Sequence, residues 1–145
     1  MMHLAPSDGV AIVTGAGSGL GRALAVELVA RGFTVAGIGR RADALDGTAE
    51  QAGSAFHAFA ADIADPAQVA GTFSRIRESL GPVALLINNA AGNFPAAAED
   101  VSANGFRAVT SIVLDGTFLM STEFARRRIA DGRGGAILNI GATYA

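Results

Sequence analysis

The segment VTGAGSGLGRA has the clearest chemical meaning in the chain. Its Gly15, Gly19 and Gly21 follow a short apolar run, Val10–Val13, and begin a stretch whose apolar residues have helical spacing. Glycine permits positive φ and close approach of the backbone to a ligand, and a helix start presents free N–H groups to an anion. Ser18 adds a hydroxyl donor for a phosphate. The segment predicts a pyrophosphate site, with a merely tight turn as the alternative.

The spacing here is TGxxxGxG. It differs from G-x-G-x-x-G, because neither Gly15 nor Gly17 has a glycine five residues later. After the second apolar run, Arg40 and Arg41 stand where an NAD site usually has an acidic residue. A guanidinium suits a ribose 2′-phosphate, which favours NADPH and makes NADH the less favoured cofactor. The alternative is that this arginine pair is a solvated helix start.

The composition of the chain disfavours or excludes several classes of function. Of 145 residues, 50% are hydrophobic and 17% charged, which is typical of one filled globular domain. The net charge of −2 disfavours a nucleic-acid partner, and the lack of cysteine excludes thiolate metal sites and cysteine nucleophiles. No metal site is expected. Without a signal-like start or an apolar run of about 18 residues, we expect no membrane span and a cytoplasmic protein.

Apolar runs alternate with helical stretches along the whole chain. Such alternation predicts a parallel sheet covered on both faces. Gly116 lies inside the long helix, where glycine usually implies close packing. The predicted strands are Val10–Val13, Phe33–Ile38, Ala55–Ala60, Val83–Ile87 and Gly135–Ile140, and the predicted helices are Gly19–Arg31, Ala42–Ala52, one from Pro66 capped by Asp65, and Ser102 to about Arg128.

Three motifs in this order resemble the short-chain dehydrogenase/reductase family. They are TGAGSGLG, AADIAD after the third strand, and NNAAG after the fourth. The resemblance implies a Rossmann-type doubly wound parallel sheet in the order 3-2-1-4-5. It also implies that Asn88 steadies the sheet. The cofactor residues that it implies are Gly15, Gly17, Ser18, Gly19, Leu20, Gly21, Arg40, Arg41, Asp62, Ile63, Asn89, Ala90 and Gly92.

The chain departs from the usual family pattern at the catalytic positions. Val113 occupies the place of the usual helix asparagine, and Ala142 that of the usual serine. A YxxxK motif would lie beyond residue 145, and the chain contains no lysine.

One subgroup departs in the same way. NNAAGNF and IGATYA resemble segments of 2,4-dienoyl-CoA reductases, which implies that Asn93 and Tyr144 are the catalytic residues. Tyr144 O–H and the Asn93 amide would bind the thioester oxygen of a dienoyl-CoA while NADPH supplies the hydride. Alternatively, Tyr144 is an ordinary partly buried aromatic residue and Asn93 a turn residue.

The resemblance leaves other functions open. It implies an acyl-CoA substrate and a homotetramer, but a reductase of another carbonyl or alcohol is also compatible, as is a non-catalytic nucleotide-binding module. His57 is expected to be structural, and Arg126–Arg128 to be solvated or at an interface.

The family domain continues beyond the fifth strand, which would be an unpaired apolar edge here. Residues 1–145 therefore read as the N-terminal cofactor-binding part of a single reductase domain, truncated after its fifth strand and inactive alone.

Overall fold

The computed structural model describes residues 4–93 and 95–141. Five parallel strands form one sheet in the order β3-β2-β1-β4-β5, which confirms the predicted Rossmann-type topology. The strands are β1 (Val10–Thr14), β2 (Val35–Gly39), β3 (Phe56–Ala60), β4 (Val83–Asn88) and β5 (Ala136–Asn139). The helices are α1 (Gly19–Ala30), α2 (Ala42–Ala52), α3 (Pro66–Leu80), α4 (Ala103–Thr110) and α5 (Thr117–Ala130).

Two apolar cores lie on opposite faces of the sheet. Val10 and Ile12 of β1 pack in the core that contains residues of α3 and α5. Ala11 and Val13, which alternate with them, pack in the core formed with α1 and α2. This alternation is the period of two that a strand imposes, and burial on both faces explains why β1 is apolar through Val13.

The second strand begins two residues later than predicted. The N–H of Phe33 donates to Leu28 O at 3.0 Å and that of Gly32 to Val29 O at 2.9 Å. Gly32 has a φ of +91°. These bonds form a Schellman cap on α1, so Phe33 belongs to the helix end and the strand starts at Val35.

The long helix is interrupted in its hydrogen bonding. Between α4 and α5, Ser111–Gly116 form a π-helical segment. The predicted helix is therefore present over nearly its predicted range, but a single 3.6-residue period does not describe it. Gly116 is buried against Ile63, whose Cδ1 would lie 2.7 Å from a Cβ at that position. The close packing expected at Gly116 is confirmed.

The third helix begins as predicted. Asp65 accepts from the backbone N–H groups of Ala67 and Gln68 at 2.8 and 3.2 Å, and Pro66 is the first helical residue. Together with the Gln68 side chain, which is the strongest contributor, these donors lower the pKa of Asp65 below its ordinary value.

Among the described residues, none of the helices combines the length and the apolar character that a membrane span requires.

Candidate functional site

The glycine-rich segment forms the turn between β1 and α1. Gly15 has a φ of +66° and Gly19 one of +51°, which are conformations that side chains disfavour. A Cβ on Gly21 would lie 2.5 Å from Asn89 Nδ2 and closer still to the carbonyl oxygen of Gly15. Ser18 precedes the first helical residue, and its side chain makes no capping bond. The Ser18 hydroxyl is thus not used as a cap of α1, and the start of a helix is the kind of place that suits an anion.

Thr14 joins the glycine-rich segment to the end of β4. Its Oγ1 accepts from the backbone N–H groups of Asn89 and Ala90 at 3.0 and 2.9 Å. Asn89 Nδ2 in turn donates to Thr14 O at 3.0 Å. Two motifs that are 75 residues apart in sequence therefore meet at the carboxyl ends of adjacent strands, where ligands bind in open α/β sheets.

A cleft of about 420 Å³ opens beside this junction. It is lined by seven of the predicted cofactor residues, namely Gly15, Gly17, Arg40, Arg41, Asp62, Ile63 and Ala90. The other lining residues are Ile38, Gly39, Ala44, Ala61, Ala91 and Ile112. The remaining predicted cofactor residues, Ser18, Gly19, Leu20, Gly21, Asn89 and Gly92, do not line it.

Arg40 and Arg41 stand at one end of the cleft. Both are exposed, and neither side chain makes a hydrogen bond or ion pair with any residue between 4 and 141 that the structure describes. Arg41 is the N-cap residue of α2, where its positive charge opposes the helix dipole. A pair of free guanidinium groups in this position is suited to an anionic ligand group.

The segment after β3 is held by the Gln68 side chain of α3 and by the Asp62 carboxylate itself. The backbone N–H of Asp62 donates to Gln68 Oε1 at 2.9 Å, and Asp62 Oδ1 accepts from Ala64 N at 3.0 Å. Ile63 is buried and packs on Gly116. Asp62 and Ile63 are consequently fixed at the cleft wall.

The structure describes only one of the two predicted catalytic residues. Asn93 is exposed, does not line the cleft, and makes no side-chain hydrogen bond among the described residues. Tyr144 lies outside the described residues, as does Ala142. Gly92 lies close to the π-helical segment, since a Cβ on it would be 2.9 Å from Ile112 Cδ1.

Asn88 ties β4 to its neighbours. Its Nδ2 donates to Asn139 Oδ1 of β5 at 2.8 Å and to Ser121 Oγ of α5 at 3.0 Å. The residue is only 5% exposed, and its Oδ1 has no partner among the described residues. These bonds agree with the sheet-steadying role that the resemblance implied.

The structure corrects the expectation that Arg128 is solvated or at an interface. Rather than solvated, it is 7% exposed, and its Nε donates to Gly134 O at 2.7 Å. Arg127 is partly buried as well and pairs with Glu123 at 2.7 Å. The turn after α5 folds back over the Arg128 guanidinium, which a reading of helix charge alone does not predict.

Sequence reasoning missed Arg22 and Thr48. Arg22 Nη2 donates to Gly17 O at 2.6 Å, and Arg22 Nε donates to Thr48 Oγ1 at 3.0 Å. The position of Arg22, immediately after Gly21, is the one sequence signal that points to it. Thr48 gives no such signal, because its role depends on how α2 packs against α1.

The family comparison agrees with this geometry. Residues 9–145 match the short chain dehydrogenase family. The chain belongs to that family. A probable 2,4-dienoyl-CoA reductase 3 of Caenorhabditis elegans is 40% identical over 141 residues, which are 94% of this chain and 46% of that protein.

Solved structures give the same family and fold. A short chain dehydrogenase from Bacillus anthracis superposes with a TM-score of 0.93 at 34% identity, covering 97% of this chain and 59% of that one. A 3-ketoacyl-(acyl-carrier-protein) reductase from Brucella melitensis, complexed with NADH, gives 0.86 at 31% identity, covering 92% and 57%. The chain thus spans about half the length of the proteins that it matches.

Proposed function

We propose that this chain carries the NADPH-binding part of a reductase that acts on 2,4-dienoyl-CoA thioesters. The observation that carries the proposal is the cleft, in which the glycine-rich segment, the free pair Arg40 and Arg41, and Asp62–Ile63 surround one volume. Gly17 is also required by packing, because a Cβ on it would lie 2.9 Å from Ala44 Cβ of α2. These residues fit a dinucleotide.

Each group of predicted cofactor residues, in the cleft or next to it in sequence, has a task in this proposal. The N–H groups at the start of α1 and the Ser18 hydroxyl bind the pyrophosphate. Arg40 and Arg41 bind the 2′-phosphate through charge-assisted hydrogen bonds. Asp62 and Ile63 flank the adenine, and Asn89, Ala90 and Gly92 lie on the ribose and nicotinamide side. When bound, NADPH would supply the hydride for the reduction.

The substrate chemistry is assigned to Asn93 and Tyr144. As hydride reaches the far end of the conjugated dienoyl system, negative charge collects on the thioester oxygen as a dienolate. The Tyr144 hydroxyl and the Asn93 amide donate hydrogen bonds to that oxygen. A proton is then added at carbon, so the substrate gains one hydride and one proton in total. The similarity to the nematode reductase supports this substrate class.

A second candidate is reduction of a 3-ketoacyl thioester. It is favoured by the similarity to the Brucella melitensis reductase. Val113 and Ala142 disfavour it, because they replace the polar residues that the common family pattern uses. A homotetramer belongs to the same proposal and rests on the family resemblance. A cytoplasmic location stays a prediction from the sequence.

The direct test is turnover by the full-length protein. NADPH oxidation is followed with a 2,4-dienoyl-CoA and, separately, with a 3-ketoacyl-CoA. We expect activity with the dienoyl thioester and a loss in kcat of about 100-fold for Tyr144→Phe, the size typical of losing one oxyanion donor. Asn93→Ala should also lower kcat, whereas the control Asn104→Ala, at an exposed position of α4, should not.

Three outcomes would contradict the proposal in different ways. Activity with the 3-ketoacyl thioester alone would establish the second candidate. NADPH binding without turnover of either substrate would establish a nucleotide-binding module. Equal kcat values for Tyr144→Phe and the wild type would remove Tyr144 from the mechanism.

A further inference from the structure

The Arg22 side chain forms a bracket between the glycine-rich segment and α2. Its Nη2 donates to Gly17 O at 2.6 Å on one side and reaches Ala44 O at 3.3 Å on the other. Its Nε donates to Thr48 Oγ1 at 3.0 Å, one turn further along α2. A single guanidinium thus contacts the phosphate-binding turn and two successive turns of a second helix.

Thr48 completes the bracket. It is fully buried, and its Oγ1 donates to Ala16 O at 2.8 Å while accepting from Arg22. The threonine hydroxyl therefore joins α2 to the same turn that Arg22 holds. Arg22 Nε, Arg22 Nη2 and Thr48 Oγ1 all bond to protein oxygens, and neither residue lines the cleft. We therefore expect the pair to act on the nucleotide through the backbone that it positions.

Arg22 is also free of acidic partners. None of the ion pairs between residues described by the structure includes it, and its acceptors are two carbonyl oxygens and a hydroxyl. A carboxylate in a salt bridge with Arg22 would compete with these neutral acceptors for the guanidinium. With neutral acceptors, the planar fork of Arg22 is instead devoted to fixing backbone positions.

The first turn of α2 connects the contacts of Arg22 to the arginine pair. Arg41 is the N-cap of α2, and its carbonyl oxygen accepts from Leu45 N at 3.3 Å in the first turn. Ala44, which contacts both Gly17 and Arg22, belongs to that turn. Any shift of α2 relative to the glycine-rich segment would therefore carry Arg40 and Arg41 away from it.

We infer that Arg22 and Thr48 are positioning residues for cofactor selection, because they fix the distance between the pyrophosphate-binding turn and the arginine pair. This inference rests on the proposed NADPH function. NADPH must meet both places at once, with its pyrophosphate at the turn and its 2′-phosphate at Arg40 and Arg41. NADH meets only the turn, so it is less sensitive to that distance.

The test measures dissociation constants for NADPH and NADH, by titration, in Thr48→Val of the full-length protein. Valine keeps the shape of threonine and removes the hydroxyl. The preference, taken as the NADH constant divided by the NADPH constant, should fall about threefold to tenfold, the range expected for one net hydrogen bond. Thr48→Ser should restore it.

Thr72→Val is a matched control. Thr72 is also buried, and its hydroxyl also accepts from an arginine, Arg75 Nη2 at 3.0 Å, but it lies in α3 on the other face of the sheet. This variant should keep the wild-type preference. If Thr48→Val does not fold, Arg22→Lys provides the same test, because one ammonium group cannot reproduce the forked contacts of a guanidinium.

The outcomes separate the two proposals. Equal weakening of NADPH and NADH by Thr48→Val, with the preference unchanged, would overturn the inference and leave the proposed function intact. So would an equal loss of preference in Thr72→Val. A wild-type protein that binds both cofactors equally would overturn the proposed NADPH selectivity, and the inference with it.

Discussion

The two ends of the sheet differ in how far their residues are buried. At one end, β1 to β3 with α1 and α2 form what we term the cofactor flank, where all five residues of β1 are buried. At the other end, β5 with the π-helical segment and α5 form the edge flank. Three of the four residues of β5 are exposed there, and Phe118 and Ile129 of α5 are 67% and 79% exposed.

Buried polar atoms follow the same division. In the cofactor flank, Arg22, Thr48 and Thr14 have partners for the polar atoms that they bury. The two buried side-chain atoms without a partner among the described residues, Asn88 Oδ1 and Arg128 Nη1, are both at or next to the edge flank. Since such atoms destabilise a fold, the glycine-rich segment and the arginine pair of the proposed nucleotide site belong to the flank whose buried polar atoms have partners. The two flanks should therefore respond differently to mutation.

The largest expected effect is that of Gly21→Ala in the cofactor flank. The new Cβ would lie 2.5 Å from Asn89 Nδ2 and would also overlap the Gly15 carbonyl. We expect NADPH affinity to fall more than about tenfold and the free energy of unfolding to fall by about 1–3 kcal/mol, as in other overpacked sites. Nucleotide titration and denaturant unfolding measure the two effects.

The control for this variant is Gly71→Ala. Gly71 is exposed within α3, and nothing lies within 4 Å of its added Cβ. Alanine should there raise the unfolding free energy by about 1 kcal/mol without a change in affinity. Unchanged NADPH binding by Gly21→Ala would show that the turn tolerates a side chain and would contradict the packing argument.

A smaller effect, confined to stability, is expected for Asn88→Ala. This variant leaves the Asn139 and Ser121 side chains without their shared donor inside the protein. The unfolding free energy should fall by about 1–3 kcal/mol. Because Asn88 does not line the cleft, NADPH affinity should stay unchanged. If affinity and stability fell together, the two flanks would not be independent.

The smallest effect is that of Asp131→Asn, after the end of α5. Arg77 hydrogen-bonds this carboxylate at 2.8 and 2.9 Å and holds its pKa below the ordinary value of 3.8. The folded pKa is the lower one, so the stabilising contribution is complete above pH 3.8 and is lost as the pH falls through the folded pKa. The contribution is small because solvent screens the pair.

Thermal unfolding as a function of pH would measure this effect. The wild type should be slightly more stable than Asp131→Asn at pH 7, and the two melting temperatures should converge as the pH falls through the lowered pKa of Asp131. A difference that persisted or grew at low pH would assign the effect to packing instead of charge. NADPH binding near neutral pH should be the same in both proteins.

Local sequence patterns predicted the ends of helices well where those ends depend on residues close by in the sequence. Asp65 and Pro66 predicted the start of α3, and Gly32 predicted the end of α1, because capping is a short-range effect. The strand order came from a family resemblance, since no local pattern specifies which strands are neighbours. The π-helical segment was missed because its extra residue is accommodated by packing against Ile63 and Gly92.

The candidate site was predictable to a similar extent. Gly15, Arg40 and Asp62, which line the cleft, could be named from the sequence because each lies within two residues of a strand end. Parallel strands bring their carboxyl ends to one edge. Thr48 was not found, because it lies in the middle of α2 and its partner Arg22 is on another helix. The placement of Asn93 and Tyr144 at a reaction centre stays a prediction.

The π-helical segment has a consequence for comparing this chain with its relatives. A π-helical hydrogen bond spans about five residues where an α-helical bond spans about four, so this segment holds roughly one residue more than an α-helix of the same length. Phe106 and Phe118 lie on opposite sides of Ser111–Gly116. A relative with one residue fewer in this segment would close it as a plain α-helix, with these two aromatic rings facing nearly the same directions as here. An alignment gap at this place would therefore mark a local change in hydrogen bonding, not a rotation of the helix surface.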